Sequence, residues 1–387
     1  ALRGVILVSS SLQPEGLTLS RRGRETLLTP TLLEELTTES GKPRLKVARN
    51  MLLNERNLED LGFSSFAEAL DLGEKLFSYW RSFAEFMVLR KEYIGKGNPQ
   101  EDVYFAVKCS KRGNDVYQRR IKTRLSWLNQ EIPDKKFFEI KDFQVDKVVK
   151  SKLLWITLTY DSKLGSLKYA WENLGNDFNR FLSALRQKYG KITTLRVWES
   201  YDSGYPHVHV VMLFEEAQFT VFPYWSEKEN KLTFRIKEKA QISELWHSHV
   251  DIQAISSLSA LFTYVKKHQE KIILGLTGSI QDHGSDPTVG FDLENIKGLR
   301  TLFLCWIFRK RSFSVSGDFR EKIHDLISTL HNSKMLNGQK DLDGAMIEEW
   351  VYTFLGIWSG SDLGIPSFIW TQKLEKEKIE QLLEGRR

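Results

Sequence analysis

The sequence predicts an α+β protein: a central antiparallel sheet with flanking helices, set between mainly helical N- and C-terminal regions. Three observations carry that prediction. Runs rich in β-branched and aromatic residues, the mark of strands, cluster between about 146 and 280. A long amphipathic stretch, 167–189, separates the first of these runs from the next two. Those two are joined through Asp202-Ser203-Gly204, a connection short enough for a hairpin and hence for antiparallel pairing. The chain has 387 residues, more than one compact core usually holds. It is therefore read as three regions: 1–145, 146–280 and 281–387.

In the first region, Leu58–Leu89 carries apolar residues at helical spacing, with Phe66, Leu70, Leu72, Leu76, Phe77, Trp80, Phe83 and Phe86 available for a core. A basic block follows: Lys108, Lys111, Arg112, Arg119, Arg120, Lys122 and Arg124, with Tyr117 and Trp127 interleaved. A phosphate-contacting surface and a plain solvated helix face fit this block equally well.

The second region opens with Leu153–Tyr160, a strand. Leu167 to Tyr189 follows as an amphipathic helix with Leu167, Ala170, Leu174, Phe178, Phe181, Leu182 and Leu185 on one side. Gly190 is placed to end it. Ile192–Glu199 and Val208–Phe214 are strands, and Leu232–Ile236 fits a shorter one. Val250–Ile255 alternates apolar and polar as a half-buried strand does. Ser257 then opens a helix running to His268. In the third region Asp282–Pro287 is a loop. Helical patterns fall near Leu299–Trp306, Phe319–Leu330 and Ile347–Leu355, and Arg309–Ser316 is a second basic segment in extended conformation.

The hydrophobic fraction of 41% and charged fraction of 27% are those of a folded, soluble protein. No apolar stretch approaches the length needed to span a bilayer. The start has neither the charged entry nor the apolar core of a signal peptide. It begins with Ala1 rather than Met, which fits a piece cut from a longer chain. Cys109 and Cys305 form no metal motif and no disulfide framework, so a cytoplasmic compartment is the default. The net charge of +6 is compatible with a nucleic-acid partner without requiring one.

The chemistry concentrates in Tyr205-Pro206-His207-Val208-His209-Val210. Alternate side chains of a strand share a face, so His207 and His209 point the same way. Two imidazoles on one rigid face form half of a divalent-metal site. Glu199, ending the strand before the hairpin, can lie beside them as a third ligand. This donor set binds Zn²⁺ or Ni²⁺ well and accepts Mn²⁺ or Mg²⁺ less tightly, and an open position on the ion would polarise a phosphate oxygen. A surface charge at a strand end is the alternative for Glu199. The other pair, His247 and His249, falls at a helix-to-strand junction, where the two side chains need not share a face. It reads as a solvated or capping pair. Tyr264 and Lys267 are neighbours one helical turn apart. Leu258, Leu261, Phe262 and Val265 lie on an adjacent arc, leaving Tyr264 at the edge of the buried face. A half-buried tyrosine beside surface lysines would also look like this.

Together these residues resemble the HUH endonuclease superfamily, and within it the rolling-circle replication initiators (Rep proteins), most nearly those of archaeal plasmids. Three motifs match in order: the hydrophobic strand Trp155-Ile156-Thr157-Leu158-Thr159-Tyr160; Pro206-His207-Val208-His209-Val210 preceded by Gly204; and Tyr264-Val265-Lys266-Lys267. The resemblance covers about 146 to 280. It implies an HUH endonuclease-like fold and metal-dependent nicking and rejoining of single-stranded DNA at a replication origin. Tyr264 would be the nucleophile with Lys267 beside it, and His207, His209 and Glu199 would hold Mn²⁺ or Mg²⁺. A 5′-phosphotyrosine intermediate would free a 3′ hydroxyl to prime synthesis. This chain has Lys267 and His268 where some initiators carry a second tyrosine, so one nucleophile is expected. Lys266 and the basic residues Arg119, Arg120, Lys122, Arg124, Arg309, Lys310 and Arg311 would face DNA. A host helicase and polymerase are implied partners, since no Gly-x-x-x-x-Gly-Lys-Ser/Thr loop is present.

Three other readings stand beside this one. Single-strand transposases are usually little more than a catalytic domain, whereas this chain has large flanks. Conjugative relaxases usually place the tyrosine ahead of the histidines, the reverse of the order here. A basic nucleic-acid-binding protein with an incidental metal site, or a small-molecule metallo-hydrolase, would form no covalent link to DNA.

Overall fold

The computed structural model describes residues 18–21, 24–27, 45–93, 101–124, 136–144, 148–227, 230–265, 298–316, 318–319, 321–323 and 350–384. The chain divides into two compact units, each assembled from separated segments: 1–52, 71–123 and 334–387 in the first, 53–70 and 124–333 in the second.

The first unit holds a short hairpin of β1 (Thr18–Arg21) and β2 (Arg24–Leu27), and a four-stranded antiparallel sheet. That sheet runs in the order β13 (Trp350–Ser359), β3 (Glu85–Tyr93), β4 (Val103–Lys108), β14 (Thr371–Leu374). Phe86, Val88, Tyr104, Ala106, Trp358 and Leu374 form its core with Leu363, Ile365 and Ile379. This corrects the expectation of mainly helical flanks at two places. The helical reading of Leu58–Leu89 holds for Glu55–Asp60 and Leu70–Ser82 but breaks before β3. Phe83, Phe86 and Leu89 repeat at helical spacing, yet Phe86 and Val88, two apart, are the fully buried pair. The helix expected near Ile347–Leu355 is instead the strand β13, paired with β3 along its length. Its apolar residues Val351, Tyr352 and Phe354 stay exposed, and in such β-branched and aromatic company sheet pairing wins over helix.

The second unit is built on a five-stranded antiparallel sheet in the order β11 (Val250–Ala254), β6 (Leu153–Thr159), β8 (Pro206–Phe214), β7 (Ile192–Ser200), β12 (Phe313–Val315). A smaller sheet orders β10 (Lys231–Ile236), β9 (Phe219–Ser226) and β5 (Lys150–Ser151). The second basic segment is extended only in part: Phe313–Val315 joins the sheet, while Arg309 adopts a left-handed φ of 55° just past the helix Leu299–Ile307.

The helix Leu167–Tyr189 starts and stops where its sequence says. The Ser166 side chain accepts from the Tyr169 N–H at the N-terminus, and Gly190 closes the C-terminus at φ 80°. Its buried stripe is the expected one plus Trp171. Phe178 meets Trp198 edge-on at 5.6 Å, and the Arg196 guanidinium stacks 4.5 Å from Phe178 and 4.4 Å from Trp198. Burial, with the Arg311 charge second, pulls Arg196 down to about 10. Phe178 is 1% exposed, so Phe178→Ala should cost about 3–5 kcal/mol, read as a shift in the denaturant midpoint with an unchanged slope. Among the described residues no helix is long and apolar enough to cross a membrane.

Candidate metal centre and nucleophile

β8 lies at the middle of the five-stranded sheet, so both its histidines have a strand on either side. The register sets Thr159, His207 and Glu199 in one cross-strand row and Thr157, His209 and Val197 in the next. Directly paired residues share a face, so the alternation places both imidazoles and the carboxylate together. The hairpin that aligns β7 with β8 turns at Gly204, whose φ of 87° favours glycine. The Trp171 indole N–H donates to the Gly204 carbonyl at 2.8 Å and ties this turn to the long helix.

Glu199 Oε2 lies 3.4 Å from His207 Nε2 and 3.7 Å from His209 Nε2. One ligand atom from each of the three residues falls within 4.8 Å of the others, a group able to hold a metal ion. Glu199 is only 6% exposed and His207 only 7%. A bare carboxylate buried to this degree beside two imidazoles is costly. In addition, His207 Nδ1 is buried with no hydrogen-bond partner among the described residues. Both features fit a donor set that receives a divalent cation. A 3.0 Å hydrogen bond joins His209 Nδ1 to Thr157 Oγ1, the outer contact that fixes a ligand imidazole's orientation.

The structure also brings Tyr264 to this face. Residues 258–265 are helical, opened by a hydrogen bond from the Ala260 N–H to Ser257 Oγ at 3.1 Å. Leu258, Leu261 and Val265 are buried and Tyr264 is half-buried, the arc the spacing indicated. Trp155 is sandwiched: its ring stacks on His209 at 5.4 Å and on Tyr264 at 4.8 Å. One indole thus couples the metal triad to the candidate nucleophile. Lys266, Lys267 and His268, with the loop 282–287 and most of the helix expected over 319–330, lie outside the described residues.

Two residues at the site went unflagged by sequence reasoning. Tyr201 stacks on His207 at 4.2 Å, and burial, then the Glu199 charge, push its hydroxyl pKa up. Trp155 was visible only as part of a strand. Its stacking depends on register, which no local spacing encodes.

The expected DNA-facing cations are dispersed. Arg119, Arg120 and Lys122 are exposed on the first unit's helix Asp115–Arg124, with Arg119 stacked 4.8 Å over Trp370. Arg124 ends that helix. Arg309 and Arg311 are exposed, whereas Lys310 is half-buried and donates to the Glu172 carbonyl at 2.8 Å.

The pair His247 and His249 stands apart from the triad. His247 Nε2 is 3.7 Å from Asp177 Oδ2, which also accepts from the Tyr160 hydroxyl, and Trp246 stacks on its ring at 4.3 Å. The His249 carbonyl accepts from the Thr159 N–H and hydroxyl. Burial pushes the His247 pKa below its ordinary value, against the pull of Asp177. A histidine that resists protonation when folded leaves the unfolded state with more protons in acid. Its contribution is therefore complete above pH about 6.5 and is lost as pH falls toward the lower native value. His247→Gln should flatten that part of the stability profile when unfolding midpoints at pH 7.5 and 5 are compared, as an order-of-magnitude guide to the window.

The site, then, is that of a protein able to bring a divalent ion and a tyrosine to one sheet face. Residues 153–271 match the model of a family described as Replication-associated protein ORF2. The match covers less than a third of the chain, all within the second unit, and takes in the whole triad and Tyr264. It supports a role in replication initiation. A comparison with curated proteins found no match, and one with solved structures found none either.

Proposed function

We propose that this protein is a rolling-circle replication initiator of the HUH type, like those of archaeal plasmids, which nicks and rejoins single-stranded DNA at an origin. The observation that carries the reading is the Glu199–His207–His209 triad joined through Trp155 to Tyr264 on the matched segment. The Tyr264 hydroxyl attacks a backbone phosphorus. A Tyr–O–P bond forms, the bond from phosphorus to the 3′ oxygen breaks, the phenolic proton is released, and the leaving oxygen takes up a proton to become the 3′ hydroxyl that primes synthesis. The protein keeps the 5′ phosphate, and reversal of the step rejoins strands. His207, His209 and Glu199 would hold the divalent ion, Mn²⁺ or Mg²⁺. When bound, it supplies a Lewis acid for a phosphate oxygen. Lys267, one turn beyond Tyr264, would stabilise phenolate or phosphate charge. Arg119, Arg120, Lys122, Arg124, Lys266, Arg309, Lys310 and Arg311 would contact the DNA backbone. A host helicase and polymerase would act on the nicked product.

The test is incubation with labelled single-stranded origin DNA and Mn²⁺, followed by a denaturing gel. A labelled protein band that disappears with EDTA supports the reading. A protein that binds DNA in a salt-dependent way but yields no adduct with any divalent ion is a binding module, and the enzymatic reading fails.

A further inference from the structure

Tyr264 is fixed by more than its stacking on Trp155. Its hydroxyl donates to Gln253 Oε1 at 3.3 Å. The Gln253 amide is itself held, because its Nε2 donates to Asp251 Oδ2 at 3.0 Å. The other oxygen of Asp251 is paired with Arg235 Nη1, which also donates to the Ile252 carbonyl at 3.2 Å. Asp251 and Gln253 alternate on β11 and lie opposite Thr157 and Trp155 of β6, so they share the face of the triad. Arg235 belongs to β10, the outer strand of the small sheet, and its guanidinium stacks 5.7 Å over Tyr224 of β9.

We propose that Gln253, locked by Asp251 and Arg235, is a positioning residue that aims the Tyr264 hydroxyl. The proposal rests on the reading of Tyr264 as nucleophile. An ionised carboxylate only accepts, so Asp251 compels the amide to turn its NH₂ inward and its carbonyl toward Tyr264. The carbonyl in turn compels the phenol to donate, which directs the oxygen's lone pairs away from Gln253 and leaves them open for attack. An amide oxygen is too weak a base to take the phenolic proton, so the role is aim rather than proton transfer. Arg235 holds the carboxylate with a charge-assisted hydrogen bond, the strong kind. Removing the acceptor frees the hydroxyl to rotate, and small misplacements of a reacting atom cost on the order of 10–100-fold in rate.

The experiment measures adduct formation by the full chain with Mn²⁺, giving a maximal rate and a half-saturating DNA concentration. The proteins are wild type, Gln253→Met, Asp251→Asn, the double variant, and Tyr264→Phe. Gln253→Met keeps the side chain's length and removes the acceptor. The expected result is a maximal rate about 10-fold lower or more, with half-saturation within about two-fold of wild type. Asp251→Asn should lose rate in the same direction, and the double variant should be no slower than Gln253→Met, because both changes release one hydroxyl. A network that merely tied β10 to β11 would lower the melting temperature and leave the maximal rate of the folded fraction unchanged. A wild-type maximal rate in Gln253→Met, a loss confined to half-saturation, or additive losses in the double variant would overturn the proposal. Should Gln253→Met fail to fold, the near-isosteric Asp251→Asn decides on the same criteria. If Tyr264→Phe still forms adduct, the nucleophile assignment fails and the proposal with it. If Tyr264→Phe is dead while Gln253→Met is unimpaired, only the positioning role is lost.

Discussion

Replacing His207 with alanine is expected to abolish metal-dependent cleavage while DNA binding survives. His207 supplies one of three ligand atoms, and its imidazole faces Glu199 from the central strand. Even outer-sphere partners of metal ligands cost 10–100-fold when removed, so loss of a direct ligand should cost at least about 100-fold in cleavage rate. The variant also leaves Glu199 buried with one imidazole fewer, which weakens binding of any divalent ion further. DNA affinity draws mainly on phosphate contacts by basic residues elsewhere, so its salt dependence should be unchanged. Calorimetric titration with Mn²⁺ checks the first expectation, and DNA binding at two salt concentrations checks the second. A His207→Ala variant that cleaves at the wild-type rate would remove the triad from the mechanism.

Tyr264→Phe should reduce adduct to background, a loss of at least about three orders of magnitude, as expected for removal of a nucleophile. The substitution keeps the ring that stacks on Trp155, so the helix over 258–265 stays docked and the melting temperature moves little. What goes is the hydroxyl, with its hydrogen bond to Gln253. Tyr201 provides the control, because it is the phenol stacked directly on His207. Tyr201→Phe should leave adduct formation in place. Loss of adduct in Tyr201→Phe but not in Tyr264→Phe would move the nucleophile to the β7–β8 turn.

The central sheet was legible because its signals are local and agree with one another. Ser166 and Gly190 bracket an amphipathic helix, Asp202-Ser203-Gly204 fits only a tight turn, and His-x-His on a strand must share a face. The position of Glu199 followed from the hairpin, since β7 and β8 are consecutive and their register is set by that turn. Residues that meet through non-consecutive strands were not legible. Gln253 reaches Trp155 only because β11 pairs with β6 across nearly a hundred residues of chain, and Arg235 reaches Asp251 from a different sheet. The misread strands β3 and β13 fail for another reason. Their apolar residues satisfy helical and strand spacing at once, and what decides between the two is their mutual pairing, which joins residues 85–93 to 350–359. A short apolar run carries no record of so distant a partner.

The most direct test identifies the residue that carries the DNA. The protein is reacted with single-stranded origin DNA and Mn²⁺, digested with nuclease and protease, and the nucleotide-bearing peptide is sequenced by mass spectrometry. The triad-and-tyrosine account predicts a 5′-phosphonucleotide on the hydroxyl of Tyr264. A modification on Tyr201 or any other residue, or cleaved DNA with no modified peptide, would contradict it.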